Sequence, residues 1–206
     1  MAAGYLPIRT ELEGRALERA LEWSHQTMRG IPFPAMIVTH TQDIKGVNEP
    51  FRQLFDIPFD RNYDGLMNRI DLHFNSDLPI RSRSTFDKAS FEQWEAHAKN
   101  EINAFKREHI LSRYDAWYQK LFHKFQKYNV DEYPNVLDAG EEMDHVQTIL
   151  ARIESSGELV PIRYRQISIS VGGRVYPQIA VFLPVDAAAR KVFEDLGCPT
   201  YCEIFQ

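Results

Sequence analysis

Two stretches near opposite ends of this chain read as pairs of β-strands, and neither pair can be stable alone. Residues 35–40 (Ala-Met-Ile-Val-Thr-His) form a β-rich run, Thr41-Gln42-Asp43 is a polar turn, and residues 44–47 return as a second short strand. Toward the other end, Val160, Ile162 and Tyr164 alternate, and Ile167, Ile169 and Val171 then alternate one step out of phase. Gly172-Gly173 supplies a hairpin turn, after which Val175, Ile179, Val181 and Leu183 form the returning strand. An isolated two-stranded hairpin is marginal in water, so the opening and closing hairpins must join in one antiparallel sheet. The phase slip at Arg165-Gln166 predicts a β-bulge, since one extra residue returns the side chains to the same face. Pro177 lacks an amide donor and belongs at an edge or a bulge.

Between the hairpins the period changes to that of helices. Asn48 is a good N-cap, Pro50 is tolerated in the first turn, and Phe51, Leu54 and Phe55 form one buried face. From Ser90, the residues Phe91, Trp94, Ala98, Ile102 and Phe105 make one stripe of a long helix. Ser112 and Asp115 offer capping for a second, with an aromatic face of Tyr114, Trp117, Tyr118, Leu121, Phe122, Phe125 and Tyr128. The spacing of Met143, Val146, Ile149, Leu150 and Ile153 predicts a third helix over 141–153. Residues 56–90 are less regular, with short pieces such as 65–73, and a last helix is predicted over 185–196, ending at Gly197. Ahead of all this, Leu12, Ala16, Leu17, Ala20, Leu21 and Met28 predict a helix over 10–28, stopped by Gly30 and Pro32.

The expected architecture is therefore α+β: an antiparallel sheet with a large helical insert covering one face. Residues 1–30 form an N-terminal connector helix and 31–206 the body. A chain of 206 residues can bury one substantial core without staples. Its net charge of -5 argues against a surface dominated by nucleic acid, which needs clustered positive charge. No apolar run approaches the ~20 residues that span a bilayer, and the N-terminus shows no signal-peptide pattern. Cys198 and Cys202 suit neither a zinc site nor a disulfide framework, so the expected compartment is the cytoplasm.

The segment PAMIVTHTQDIKGVNEPFRQLF resembles the first two strands and Asn-capped helix of PAS-like sensor domains. More closely, it resembles the ligand-binding half of MmyB-like helix-turn-helix transcription regulators, through Pro34-Ala35, Asn48 and Leu54-Phe55. Asn68-Arg69-Ile70 running to Phe74 fits the same pattern, as does the helix with Trp94-Glu95, Ala98, Phe105 and Arg107; the likeness covers about 34–186. The sequence departs from that family in having no helix-turn-helix segment and no His-Pro…Gly signature before the last hairpin. The resemblance implies a PAS-like fold and a sensor that binds a fatty-acid-like or other apolar small molecule. Occupancy would be relayed to a DNA-binding region absent from this chain. The alternative is a ligand-free PAS-like dimerisation or protein-interaction module, pairing through Leu17, Leu21 and Met28 of the N-terminal helix.

A ligand-binding pocket is usually apolar with a few polar groups. The expected lining is Met36, Val38, Phe55, Phe74, Trp94, Ile102, Phe105, Tyr114, Trp117, Tyr118 and Phe122, with Arg81 and Arg113 facing an acidic head group. Each aromatic taken singly reads more readily as core than as pocket lining, and the RSRS run at 81–84 reads as a solvated loop or edge strand. His40, His73, His97, His109 and His123 are spread along the chain with no H-x3-H or HExxH spacing, so no metal site is expected. Glu141-Glu142-Asp144-His145 crowds acids beside a histidine, but one helix cannot converge all four on an ion. No nucleophile elbow, P-loop or dinucleotide fingerprint exists, so no catalytic residues, no cofactor and no enzyme activity are expected.

Overall fold

The computed structural model describes residues 12–57, 67–127, 146–153, 156–173 and 175–199. Among these residues the strands are β1 (Ala35–Val38), β2 (Ile44–Val47), β3 (Val146–Arg152), β4 (Leu159–Ser170) and β5 (Gln178–Pro184). They pair antiparallel in the order β2-β1-β5-β4-β3. Ala35 lies opposite Val181 and Val38 opposite Gln178, so β1 and β5 join the two hairpins into one sheet, as their individual instability requires.

One face of the sheet carries the main core. Asn48 caps α2 (Glu49–Phe55) by accepting from the Phe51 amide, and α2 delivers Phe51, Leu54 and Phe55 into that core. Asp186 caps α7 (Ala187–Asp195), which adds Ala189, Val192 and Phe193. Phe51, Phe55 and Phe182 meet with ring centroids 4.6–5.4 Å apart, and Tyr164 lies 5.5 Å from Phe182.

The opposite face is covered by α1 (Gly14–Arg29), whose Met28 and Leu21 pack with Ile37, Ile179 and Val181. This explains the change of phase in β4, where the expected bulge does not occur. The β4–β5 register runs unbroken from Tyr164 opposite Pro184 to Ser170 opposite Gln178. Ile162 and Tyr164 face the main core, whereas Ile169 packs on the α1 side. Side chains alternate strictly along a strand, so a strand apolar on both faces must change phase somewhere.

The fit of α1 is close. A Cβ placed on Gly46 of β2 would sit 2.5 Å from Cε1 of His25, which occupies the space a side chain would need. Gly46→Val should therefore cost about 1–3 kcal/mol through overpacking. Denaturant midpoints measure it; stability equal to wild type would mean that α1 does not seat on β2.

The expected helix over 141–153 is corrected: Val146–Arg152 is strand β3, and residues 141–145 lie outside the described residues. Its spacing fits either period, but seven residues in unbroken register with β4, from Val146 opposite Arg165 to Arg152 opposite Leu159, satisfy the backbone as a strand. β3 is a sheet edge, and helices cover it. Arg83 Nε donates to the Leu150 carbonyl at 2.6 Å, and Gln93 Nε2 donates to the Val146 carbonyl at 3.1 Å. Pro161, opposite Leu150, has no amide to offer. Arg83 belongs to α4 (Pro79–Ser84), so the RSRS run is a helix with Arg83 and Ser84 buried, not a solvated loop or an edge strand.

The remaining helices are α3 (Arg69–Phe74), α5 (Lys88–Glu108), a 3-10 turn (Ile110–Ser112) and α6 (Ala116–Lys127). Asp87 and Ser90 form a reciprocal cap on α5, which buries Trp94, Ala98, Ile102 and Phe105 while Phe91 stays exposed. Gly172 and Gly173 both have positive φ, as the predicted turn demands, but β5 begins only at Gln178, leaving Val175 exposed and Pro177 ahead of the ladder. Among the described residues, no helix is long and apolar enough to cross a membrane.

Candidate functional site

The short helix α3 is held by its N-terminus. Asn68 and Asp71 form a capping box, and Asn68 Nδ2 donates to the Thr41 carbonyl at 2.9 Å and to Asp43 Oδ1 at 3.3 Å. The Arg69 amide donates to the Gln42 carbonyl at 2.8 Å, and the Ile44 amide to that of Met67 at 2.9 Å. The turn between β1 and β2 thus fixes where α3 starts, and with it the positions of Arg69, Ile70, His73 and Phe74.

Against α3 runs α5, and a cleft lies between them. Ile70, Phe74, Ala98, Ile102 and Phe105 form its apolar wall; Gln42, Arg69, His73 and Glu101 form its polar side. The cavity measures about 30 Å³, space for two or three water molecules.

The polar side is a connected network. Glu101 bonds the Arg69 guanidinium through Oε1, while His73 Nε2 lies 3.0 Å from Oε2 and His97 Nε2 lies 3.5 Å from Oε1. His97 Nε2 also meets the Gln147 amide at 2.8 Å, and Gln147 Oε1 accepts from the Tyr164 hydroxyl at 2.7 Å. Burial alone would raise the Glu101 pKa. The Arg69 charge, with His73 and His97, outweighs burial and holds the carboxyl well below its ordinary range. Burial lowers the His73 pKa despite the attraction of Glu101, which keeps the ring neutral at pH 7. Burial and Glu101 together raise the Tyr164 pKa, so its hydroxyl stays a donor. Arg69 Nε is buried and has no hydrogen-bond acceptor among the described residues.

The residues expected to line one pocket are divided between separate places. Phe74, Ile102 and Phe105 line the cleft. Tyr118 stacks on Phe105 at 5.4 Å, and Trp117 packs against the same cluster. Met36, Val38 and Phe55 lie in the main core beneath α2. Trp94 contacts Phe74 and carries the Arg81 guanidinium 3.3 Å above its ring, so Arg81 is spent on an aromatic face. Phe122 is half-buried under Lys106. Tyr114 is 79% exposed and Arg113 lies over its ring, since α6 begins only at Ala116 and both residues fall in the connection before it. The acidic run Glu141-Glu142-Asp144-His145 lies outside the described residues.

Arg69, His73, His97 and Glu101 were not singled out as site residues from sequence. One signal did exist: His97 and Glu101 are four apart, and therefore neighbours on a helix surface beside the apolar stripe. Nothing in the sequence says that His73, 24 positions earlier than His97, folds against them.

No protein-family model matches this sequence, and comparison with curated proteins finds no significant match.

Proposed function

We propose that this chain is a ligand-binding sensor domain of a transcription regulator. It takes a small molecule with an apolar body and an acidic end in the cleft between α3 and α5, and relays occupancy to a DNA-binding region outside the chain. The observation that carries this reading is Arg69 Nε, buried without an acceptor at the edge of an apolar wall. A buried donor without a partner costs free energy, and a carboxylate meets a guanidinium in two-pronged fashion. An antiparallel five-stranded sheet, with helices inserted between its second and third strands, supports the PAS-like part of the reading.

The cavity of about 30 Å³ is far smaller than the ~300 Å³ at which ordinary ligand pockets begin. An acyl chain therefore enters only where α3 and α5 part, and ligand selects that open arrangement. Because α3 hangs from the β1–β2 turn and α1 lies on the far face of the same strands, movement of α3 has a mechanical route to α1.

Thermal unfolding with saturated acids from butanoic to octadecanoic acid, in the presence of a metal chelator, tests the proposal. A ligand at 100 times its Kd adds about 2.7 kcal/mol, a rise of roughly 5–10 °C at this chain length. Arg69→Met should abolish the rise. No shift with any acid, or an undiminished shift in Arg69→Met, would count decisively against the reading.

A second reading, the dimerisation module, is favoured by Trp23 of α1, which is 49% exposed beside Gly172. Since Leu21 and Met28 already pack on the chain's own sheet, such a dimer would form around Trp23 instead. Sedimentation velocity of wild type and Trp23→Glu decides it: a dimer that persists in the variant removes this version.

A further inference from the structure

The geometry points to a divalent metal site: His73 Nε2, His97 Nε2 and a Glu101 carboxylate oxygen are placed to hold a first-row ion, zinc being the best match, on the polar side of the α3–α5 cleft. The inference stands whether or not the cleft takes an organic ligand. It begins with helix geometry, which puts His97 and Glu101 on one face of α5, and with the Asn68 cap, which sets α3 so that His73 meets them. One ligand atom from each of the three residues lies within 4.8 Å of the other two, and the two imidazole-to-carboxylate approaches are 3.0 and 3.5 Å. Donors bound at ~2.1 Å to a tetrahedral centre stand about 3.4 Å apart, so the widest separation needs to close by little more than an ångström. Side-chain rotation supplies that.

The donor chemistry agrees. Two imidazoles and one carboxylate form a recurrent open zinc set, with the remaining position left to water or a substrate. Second contacts are in place: Arg69 hydrogen-bonds Glu101 Oε1, which leaves Oε2 and further lone pairs for the ion. Three features oppose binding and set its strength, the first being that His73 Nε2 must give up the hydrogen it directs at Glu101 Oε2, as by a change of tautomer. The Arg69 charge repels a cation, and His97 Nε2 must exchange its contact with Gln147 for the metal. Affinity should accordingly be below that of a dedicated structural zinc site.

Titration calorimetry of the untagged, metal-stripped chain with zinc chloride is the test, paired with cobalt(II) absorption spectra. The expected result is one ion per chain, and cobalt bands of a nitrogen–oxygen donor set without thiolate charge transfer. Affinity should fall about 10-fold or more in His73→Ala and in His97→Ala, and remain unchanged in Cys198→Ser with Cys202→Ser. The wild-type cobalt spectrum serves if an alanine variant does not fold, since it reports the donor atoms directly. Absence of binding, a thiolate spectrum, or binding undiminished in both folded histidine variants would overturn the site.

Discussion

Asn48→Ala should lower stability by about 3–4 kcal/mol, well beyond the ~1 kcal/mol typical of a lost helix cap. The Asn48 side chain uses every hydrogen-bonding position at once. Its Oδ1 accepts from the Phe51 amide at 3.1 Å, the cap itself, and from the Ala35 amide at 2.8 Å. Its Nδ2 donates to the carbonyls of Phe33 at 2.7 Å and Ile31 at 3.3 Å. One residue therefore joins the start of β1, the segment leading from α1, and the first turn of α2. Truncation orphans the amide of Ala35, a fully buried residue, and each buried group left without a partner adds about 1–3 kcal/mol. At this chain length that corresponds to a fall of about 10 °C in Tm. Asn48→Asp retains both acceptors and loses both donors, so it should fall between wild type and alanine. Chemical denaturation of the three proteins measures the series. A loss near 1 kcal/mol for alanine would show that Asn48 acts as a surface cap only.

Phe51→Ala should cost about 3–5 kcal/mol, the range for removing a large aromatic side chain from a closed core. Its ring is 1% exposed and packs on Phe55 at 4.6 Å and Phe182 at 5.4 Å. The cost has two parts: transfer of the ring to water, and the void that remains because neighbours in a close-packed interior relax only partly. Phe51→Leu, which fills most of that volume, should lose much less. The pair also bears on where a ligand can enter. Met36, Val38 and Phe55 share this core, so a full alanine penalty means that the space beneath α2 is occupied by protein, and that a guest must use the α3–α5 cleft. A penalty under about 1 kcal/mol would mean that the region already contains room, and would return the acyl chain to the sheet.

The candidate site was only partly legible in the sequence. Phe74, Ile102 and Phe105 were identifiable because apolar stripes report burial. Tyr114 and Arg113 were assigned with them and are exposed, because a stripe cannot say where a helix begins, and α6 starts two residues after Tyr114. The polar half was missed for a different reason. Arg69, His73, Glu101 and Gln147 are ordinary surface-type residues whose shared environment is created by packing α3 and α5 beside the sheet. Charge is costly to bury unless paired, and pairing between distant segments leaves no local signal.

What the sequence determined by itself was local: the positions of β1 and β2, the Asn48 cap, the Gly172-Gly173 turn, and the need for two weak hairpins to share a sheet. Backbone hydrogen bonding, capping and hydrophobic period act within a few residues, so they can be read there. Whether 146–152 became helix or strand, whether β4 bulged or served two faces, and whether three scattered side chains met around one carboxylate were decided by tertiary structure. In each case the local pattern fits more than one arrangement, and the deciding contact came from a partner far along the chain: β4 for β3, α1 for the second face of the sheet, and α3 for the acid on α5.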